Sequence, residues 1–396
     1  MAKNPYRPGA AVTPVYLAGR SSQEKRFRAV LRGAPEVPAN FRMTGLRGVG
    51  KTVLLKRFEE IAERELDWAT QRVQLEPRHN REPELVTLLA GLAEQKTKQL
   101  SRIRQLRGAT SDVVEAARSL LTVTIDDFTF SLAGQDDKGQ QQLIENLLDV
   151  TSVAIRSGKS GFLLLLDEAQ VLVDDKDRGG EHPLSLLIAA VNSLQEKEVP
   201  IGLVLCGLPT LKSNLLKART YSERMFRGED VGSLSRDEAR DAFTKPLDGT
   251  SIVAERDLVE KVLEDVQGYP YFIQLWGAEL WDEAEAVGLG SLSVELLEAT
   301  QGDIFRRLDE DFYDTRVESL TPAEQDLLLL TADCDYPPLK TADIHKVSKR
   351  SEGNANVLMG RLAEQGVVFR VQKGHYQYTA PKFHEYLRRR KEKSTW

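Results

Sequence analysis

The 396-residue chain has little cysteine and no long hydrophobic run. Cys206 and Cys334 are far apart and lack metal-site spacing, which favours a reducing compartment over a disulfide-stabilised scaffold. The longest apolar runs, such as FLLLL at 162–166, fall well short of the roughly 20 residues that cross a bilayer. The first residues, MAKNPYRPGAA, lack the apolar segment of a signal peptide. We therefore expect a cytoplasmic protein with no membrane partner.

The composition is that of an ordinary globular protein, but the charge is unevenly distributed along the chain. The chain is 41% hydrophobic and 29% charged, and its length predicts two or three domains. Residues 341–396 carry 12 Lys and Arg against 5 Asp and Glu, although the whole chain has a formal charge of −6. A basic end on an acidic body favours a nucleic-acid contact there, and a solvated basic tail is the alternative.

The stretch MTGLRGVGKT (43–52) has the spacing of a P-loop: Gly45, four residues, Gly50, Lys51 and Thr52. Glycines, including Gly48, let successive backbone N–H groups face a phosphate. Lys51 would reach the β- and γ-phosphates, and Thr52 would ligate Mg²⁺. A dinucleotide fingerprint does not require the Lys-Thr pair, so we exclude it. Two neighbours, Val49 and Val53, complete the nucleotide-binding residues that we predict in the P-loop.

A second motif, GFLLLLDEAQ (161–170), predicts a buried parallel strand that ends in acidic residues. Ligands bind at the carboxyl edge of such sheets. We expect Asp167 to hold Mg²⁺, directly or through water, and Glu168 to polarise the attacking water. The stretch VPIGLVLCGLPT (199–210) predicts another buried strand. Strands that alternate with helices predict an α/β fold with a doubly wound parallel sheet.

The remaining patterns predict three further regions. In SSQEKRFRAVLRG we expect Ser21 to cap a helix, with Glu24 completing the cap. Helical spacing around a GYP turn predicts a small helical lid. Residues 107–135 are ambiguous, and VTIDDFTFSLAG (123–134) within them fits a short strand pair. The predicted boundaries are 1–40 for an N-terminal segment, 41–234 for the nucleotide-binding domain with a helical insertion at 78–137, 235–318 for the lid and 319–396 for the last domain.

The last domain begins with SLTPAEQ, where Thr321 is the predicted helix cap and Glu324 completes it. Two helices and a hairpin with its turn at Lys373 and Gly374 then predict a winged helix-turn-helix, whose second helix can enter a DNA major groove. Winged helices also bind proteins, so a protein partner is the alternative. The predicted contacts to double-stranded DNA are Arg361, Lys373, His375, Arg388, Arg389 and Arg390.

Taken together, GLRGVGKT, FLLLLDEAQ, the GYP turn and the C-terminal module resemble the AAA+ ATPases of the Orc1/Cdc6 type, which border on the STAND class. The resemblance covers most of residues 15–396. It implies that Gly19 and Arg20 lie near the adenine and that Gly268 and Pro270 pack on the nucleotide. It also implies an arginine supplied to a neighbouring subunit, Arg224 or else Arg227, and hence ATP-dependent self-association.

The chain departs from the family at two points. Many members have an Asn, Ser or Thr that orients the attacking water at the end of the strand that here ends at Cys206, and Thr210 is the substitute that we expect. The lid has the sequence GYP where many members carry a sensing arginine. Both departures imply slow hydrolysis and a switch. A DNA-associated ATPase is then the first hypothesis, a STAND-like signalling switch with a protein partner the second, and an ATP-holding scaffold the third.

Overall fold

The computed structural model describes residues 3–107, 137–174, 181–218 and 222–394. The chain divides into two compact units. The sheet unit comprises Arg20–Gly45 and Lys51–Val231. The helical unit comprises Leu46–Gly50 together with the residues up to Gly19 and from Gly232 onward.

The sheet unit is built on five parallel strands in the order β2-β3-β4-β1-β5. All six residues of β3 and all seven of β4 are buried, as expected for continuous apolar runs in a sheet covered on both faces. This sheet confirms the predicted α/β class. The strands are β1 (Ala39–Thr44), β2 (Ala69–Gln74), β3 (Phe162–Asp167), β4 (Ile201–Gly207) and β5 (Arg227–Asp230).

Helices supply the rest of the sheet unit's core. Phe27 of the first helix stacks on Phe58 of the second at 4.1 Å between ring centroids, and Phe41 of β1 meets both edge-on. Burying one such ring stabilises the fold by about 1.5–3 kcal/mol. The helices are α1 (Ser21–Arg32), α2 (Lys51–Glu65), α3 (Glu82–Arg107), α4 (Asp137–Arg156), α5 (Pro183–Glu196), α6 (Thr210–Ala218) and α7 (Ser222–Met225).

The helical unit contains the predicted lid helices. Helix α9 ends before the GYP turn and α10 begins at Pro270, whose fixed φ suits a first helical position. Trp276 and Trp281 of α10 are fully buried. The helices are α8 (Arg236–Thr244), α9 (Arg256–Val266), α10 (Pro270–Val287), α11 (Val294–Leu308) and α12 (Thr315–Glu318), with a π-helix (Asp309–Asp314) between the last two. Two-residue strands β6 (Val253–Ala254) and β7 (Ser291–Leu292) pair in parallel.

The C-terminal part of the helical unit has the predicted order of helix, helix and hairpin. Thr321 and Glu324 form the predicted capping box. Gly374 in the hairpin turn has a φ of 76°, which favours glycine. A short third strand and a last helix, which the patterns did not predict, complete this part. The elements are α13 (Pro322–Leu330), β8 (Leu339–Lys340), α14 (Thr341–Ser348), α15 (Glu352–Glu364), β9 (Val368–Gln372), β10 (His375–Tyr378) and α16 (Phe383–Ser394).

Two local predictions have different outcomes. The predicted cap at Ser21 was wrong, because α1 begins at Ser21 and the cap position is Arg20, whose side chain makes no capping hydrogen bond. Of the ambiguous residues 107–135, Arg107 ends α3, and the predicted strand pair at 123–134 lies outside the described ranges. None of the helices that the structure describes combines the length and the hydropathy that crossing a membrane requires.

Candidate nucleotide-binding site

The P-loop helix and strand β3 bring a hydroxyl and a carboxylate together within the sheet unit. Thr52, in the first turn of α2, donates its Oγ1 hydrogen to Asp167 Oδ2 at 2.7 Å. Asp167 Oδ1 accepts the backbone N–H of Glu168 at 2.9 Å, and the side chain is 3% exposed. The two predicted Mg²⁺-binding residues are therefore in direct contact at the carboxyl end of β3.

Two glycines of the P-loop have backbone conformations that other residues rarely adopt. Gly48 has a φ of 85° and Gly50 a φ of 88°. Gly45 donates its N–H to the carbonyl of Gly207 at 3.2 Å, which ties the start of the loop to the end of β4. Conformation alone explains Gly50, because a Cβ there would meet no atom within 4 Å.

The P-loop residues around these glycines are largely covered. Lys51 is 6% exposed, and Val49 is 1% exposed. Val53 is half-buried in the first turn of α2. A buried ammonium beside the N-terminus of a helix has the charge and the position to bind an anion.

Glu168 is held by a neighbour that the motif did not single out. Its φ of 55° lies in the left-handed region, so the backbone turns sharply straight after β3. Gln170 Nε2 donates to Glu168 Oε2 at 2.6 Å, while Gln170 Oε1 accepts the N–H of Leu208 at 3.0 Å. Asn214 of α6 donates to the Gln170 carbonyl at 3.0 Å. Gln170 therefore links the carboxylate to the end of β4.

Cys206 occupies the end of β4, where the resemblance led us to expect a polar residue. Burial raises the pKa of its thiol, and the neighbouring Asp167 carboxylate raises it further. Cys206 is therefore a neutral thiol at ordinary pH. Thr210 begins α6, and within the described ranges no hydrogen bond joins its hydroxyl to Glu168.

The donor set at the end of β3 fits a magnesium ion. Mg²⁺ prefers oxygen ligands, and protein sites commonly supply only one or two, with phosphates and water completing the shell. Thr52 and Asp167 offer a hydroxyl and a carboxylate oxygen 2.7 Å apart. Among the described residues, no group of three or more His, Cys, Asp or Glu side chains forms an all-protein metal site.

Two solved structures are similar in fold over nearly the whole chain. The Walker-type ATPase of Pyrococcus abyssi matches with a TM-score of 0.56 and 18% identity, covering 94% of this chain and 96% of that one. The ORC2 protein of Aeropyrum pernix, solved in ADPNP and ADP complexes, matches with a TM-score of 0.56 and 15% identity, over 97% and 96%. The chain has the fold of these two proteins. This finding confirms the resemblance at the level of fold.

Comparisons of sequence give one family match and no relative. A family model described as a domain of unknown function, DUF8462, matches residues 310–387. No curated protein matches the chain. The family match begins inside the π-helix and covers most of the C-terminal module.

In the helical unit, Gly19 and Gly268, which we expect near the nucleotide, have positive φ values and crowded surroundings that favour glycine. Gly268 has a φ of 70°, and a Cβ there would lie 2.1 Å from the carbonyl oxygen of Leu234. Gly19 has a φ of 67°, and a Cβ would lie 2.6 Å from Glu238 Cδ. Both glycines therefore pack closely against the start of the lid. Pro270 opens α10, and Arg20, in the sheet unit, is 5% exposed.

The two arginines expected to act on a neighbouring subunit are both exposed. Arg224 lies in α7 and Arg227 at the start of β5. Within the described ranges, neither forms an ion pair. Such side chains are accessible to a second subunit, and the choice between them stays a prediction.

The six predicted DNA contacts fall into two groups. Arg361 on α15 and Lys373 in the hairpin turn are exposed, and His375 is half-buried with its Nδ1 3.1 Å from the Lys373 carbonyl. The three arginines of α16 have intramolecular partners. Arg389 pairs with Asp309 at 2.6 Å, Arg390 pairs with Asp314 at 2.5 Å, and Arg388 donates to the Ala332 carbonyl at 3.3 Å.

Proposed function

We propose that the chain binds ATP with Mg²⁺ and hydrolyses it slowly to ADP and phosphate. The observation that supports this most directly is the 2.7 Å contact between Thr52 and Asp167 at the end of β3, immediately after a P-loop. The nucleotide complexes of the Aeropyrum pernix ORC2 protein, which shares the fold, support the same class of ligand.

The residues at the sheet edge have separable roles in this proposal. The P-loop N–H groups and Lys51 bind the phosphates, and Thr52 with Asp167 holds the metal. Bound Mg²⁺ would neutralise phosphate charge. Glu168 orients the attacking water and accepts its proton, since a carboxylate can act as general base within hydrogen-bond reach. Gln170 positions Glu168 through the 2.6 Å hydrogen bond.

Slow turnover follows from the groups around Glu168. Cys206 is a neutral thiol, and a thiol is a weak hydrogen-bond donor compared with Asn, Ser or Thr. A weak donor at the end of β4 fits a switch that stays in its ATP state for long periods.

We further propose that the nucleotide state controls self-association and DNA binding. Arg224, exposed on α7, is the residue that we expect to complete a neighbouring subunit's site. The C-terminal module is proposed to be a winged helix, whose exposed Arg361 and Lys373 lie on the second helix and on the hairpin.

A signalling switch with a protein partner is the second candidate function. Val357 on α15 is 56% exposed and Val371 on β9 is 52% exposed, and apolar side chains there suit a protein surface. The ion pairs of Arg389 and Arg390 also reduce the positive charge that α16 offers to phosphates.

Binding of duplex DNA at several salt concentrations separates the two candidates. The measurement uses the full chain with ATP, with ADP and without nucleotide. DNA binding predicts an affinity that falls with salt, with a log-log slope of about 0.9 per phosphate contacted. Arg361→Ala should reduce that slope by about 1. Arg306→Ala, an exposed arginine on α11, is the matched control and should leave the slope unchanged. No binding at low salt in the presence of ATP would favour the protein partner.

Mixing two variants tests action between subunits. Glu168→Gln lacks the base and Arg224→Ala lacks the arginine, so each alone should be inactive. A mixed assembly contains sites that have both groups, and ATPase activity should reappear. No recovery in the mixture would contradict a role for Arg224 in a neighbouring site.

A further inference from the structure

Asn214, on α6, is a buried amide that donates hydrogen bonds to the backbone segment following Glu168. It is 8% exposed, and its Nδ2 donates to the carbonyl of Gln170 at 3.0 Å and to that of Leu172 at 3.2 Å. Both hydrogens of the amide group are therefore used on one short stretch of backbone. The sequence motifs did not indicate this residue, because it lies 44 positions after Gln170.

The backbone that accepts these hydrogen bonds is a short 3-10 turn and the residue that ends it. The turn spans Ala169–Val171, directly after Glu168 with its left-handed φ, and Leu172 follows. The last carbonyls of such a turn have no partner within it and need donors from elsewhere. Leu172 is fully buried, so bulk water does not reach its carbonyl. Asn214 therefore supplies a donor that this turn needs.

Helix α6 is itself fixed to the interior of the sheet unit. Leu211 and Leu215, which flank Asn214 on the helix, are fully buried in the same hydrophobic core as Leu172. The N–H of Leu211 also donates to the carbonyl of Leu208, which ties the start of α6 to the end of β4. The amide of Asn214 thus acts on the turn from a rigid support.

Gln170 carries this support to the carboxylate of Glu168. Gln170 Oε1 accepts the N–H of Leu208 at 3.0 Å, and a Cβ at Gly207 would lie 2.5 Å from that oxygen, so the side chain is closely packed. Gln170 Nε2 donates to Glu168 Oε2 at 2.6 Å. Within the described ranges no protein hydrogen bond reaches Glu168 Oε1. One oxygen of the carboxylate is held, and the other is left for water.

We propose that Asn214 is a positioning residue for Glu168 and that it acts through Gln170. The inference rests on the proposed function, since the orientation of Glu168 matters only if this carboxylate accepts a proton from the attacking water. Without the Asn214 amide, the turn would relax, and the Gln170 side chain would no longer meet Glu168 and Leu208 together. The water would then be oriented in a smaller fraction of the ATP complexes, which lowers kcat and leaves ATP affinity unchanged.

ATP hydrolysis and calorimetric titration with ATP and Mg²⁺ test this role on the wild type, Asn214→Ala and Ser213→Ala. In Asn214→Ala, kcat should fall roughly 3- to 10-fold, and the Kd for ATP should stay within about a factor of two of the wild type. Ser213 is exposed on the same helix and donates to the Thr210 carbonyl, so Ser213→Ala should match the wild type in both quantities. A merely structural role would lower the stability and leave kcat unchanged, or weaken ATP binding together with kcat.

The double variant of Asn214→Ala and Gln170→Ala tests the route. Once the Gln170 side chain is absent, loss of Asn214 should have little further effect on kcat, so the two losses should not add. Additive losses would contradict an action through Gln170.

Asn214→Asp keeps the size of the side chain and replaces the N–H donors with an oxygen, so it provides a second test if Asn214→Ala does not fold. It should also lower kcat and leave ATP affinity unchanged. If the wild type hydrolyses ATP and a folded variant of Asn214 does so at the same kcat, the positioning role is refuted and the proposed function stands. If the wild type hydrolyses no ATP, the proposed function fails and this inference fails with it.

Discussion

Carboxylates have different partners at the carboxyl edge of the sheet and at the start of the C-terminal segment. Asp167 accepts hydrogen bonds from the Thr52 hydroxyl and a backbone N–H, and Glu168 accepts one from the Gln170 amide. Asp309 and Asp314 instead form ion pairs with arginines of α16. Neutral donors orient a carboxylate and leave its charge in place, whereas an arginine neutralises it.

Under the proposed function, this difference separates a site for chemistry from a structural contact. At the sheet edge, the remaining negative charge is available to a cation or to a proton from water. In the C-terminal segment, the ion pairs hold α16 against the π-helix. Neutralising a carboxylate should therefore affect activity in the first region and stability in the second.

The largest expected effect is on turnover at the sheet edge. Glu168→Gln keeps the shape of the side chain and removes the base, so ATP hydrolysis should fall about 10²- to 10⁴-fold. ATP binding should be retained, because Glu168 is not a phosphate ligand in the proposal. Single-turnover hydrolysis with labelled ATP measures the first quantity and calorimetry the second. Normal turnover would show that Glu168 is not the base.

Asp167→Asn should separate the metal from the nucleotide. An amide oxygen binds Mg²⁺ more weakly than a carboxylate, so the affinity for ATP in the presence of Mg²⁺ should drop roughly tenfold. Without Mg²⁺ the variant and the wild type should bind ATP equally. The melting temperature without ligand should not decrease, since a buried charge has been removed. An unchanged Mg²⁺ dependence would contradict the role of Asp167.

Gln170→Ala should have a smaller effect on turnover. The change removes the donor to Glu168 Oε2 and the acceptor of the Leu208 N–H, so Glu168 loses its fixed orientation. Turnover should fall roughly tenfold, about 1.4 kcal/mol in the barrier. ATP affinity should stay within a factor of two or so of the wild type. A loss of affinity without a loss of turnover would contradict the positioning role.

The smallest effect is expected in the C-terminal segment. Asp309→Asn should lower the free energy of unfolding by about 1 kcal/mol, because the Asp309 carboxylate is 14% exposed and its arginine 33%. ATP hydrolysis should not change. Asp303→Asn removes a pair in which both side chains are more than 60% exposed, and urea denaturation should detect a smaller loss than in Asp309→Asn. Reduced hydrolysis in Asp309→Asn would contradict the claim that carboxylates of the C-terminal segment contribute to stability and those of the sheet edge to activity.

The sequence was most informative where function depends on residues close together along the chain. The apolar run before Asp167 predicted β3, because this signal is local. The contact between Thr52 and Asp167 joins residues 115 positions apart, and the strand-edge rule of parallel sheets anticipated it.

Other contacts join residues that are far apart in sequence, and no local sequence pattern predicts them. Arg389 and Arg390, two of the predicted DNA contacts, pair with acidic residues about 80 positions earlier in the chain, and no local pattern indicated these ion pairs. Gln170 is the last residue of the DEAQ motif, but its hydrogen bond to the Leu208 N–H depends on the pairing of β3 with β4, which the motif does not indicate.

Equilibrium binding of ATP with Mg²⁺, measured by calorimetry on the full chain and on Lys51→Ala, tests the central claim most directly. We expect the wild type to bind one ATP per chain. In Lys51→Ala the affinity should fall by about 100-fold or more, because the lysine that we propose to bind the phosphates is lost. Arg64→Ala, an exposed residue on the same helix, should bind ATP like the wild type. No ATP binding by the wild type, or equal binding by Lys51→Ala, would contradict the claim that this sheet edge is a nucleotide site.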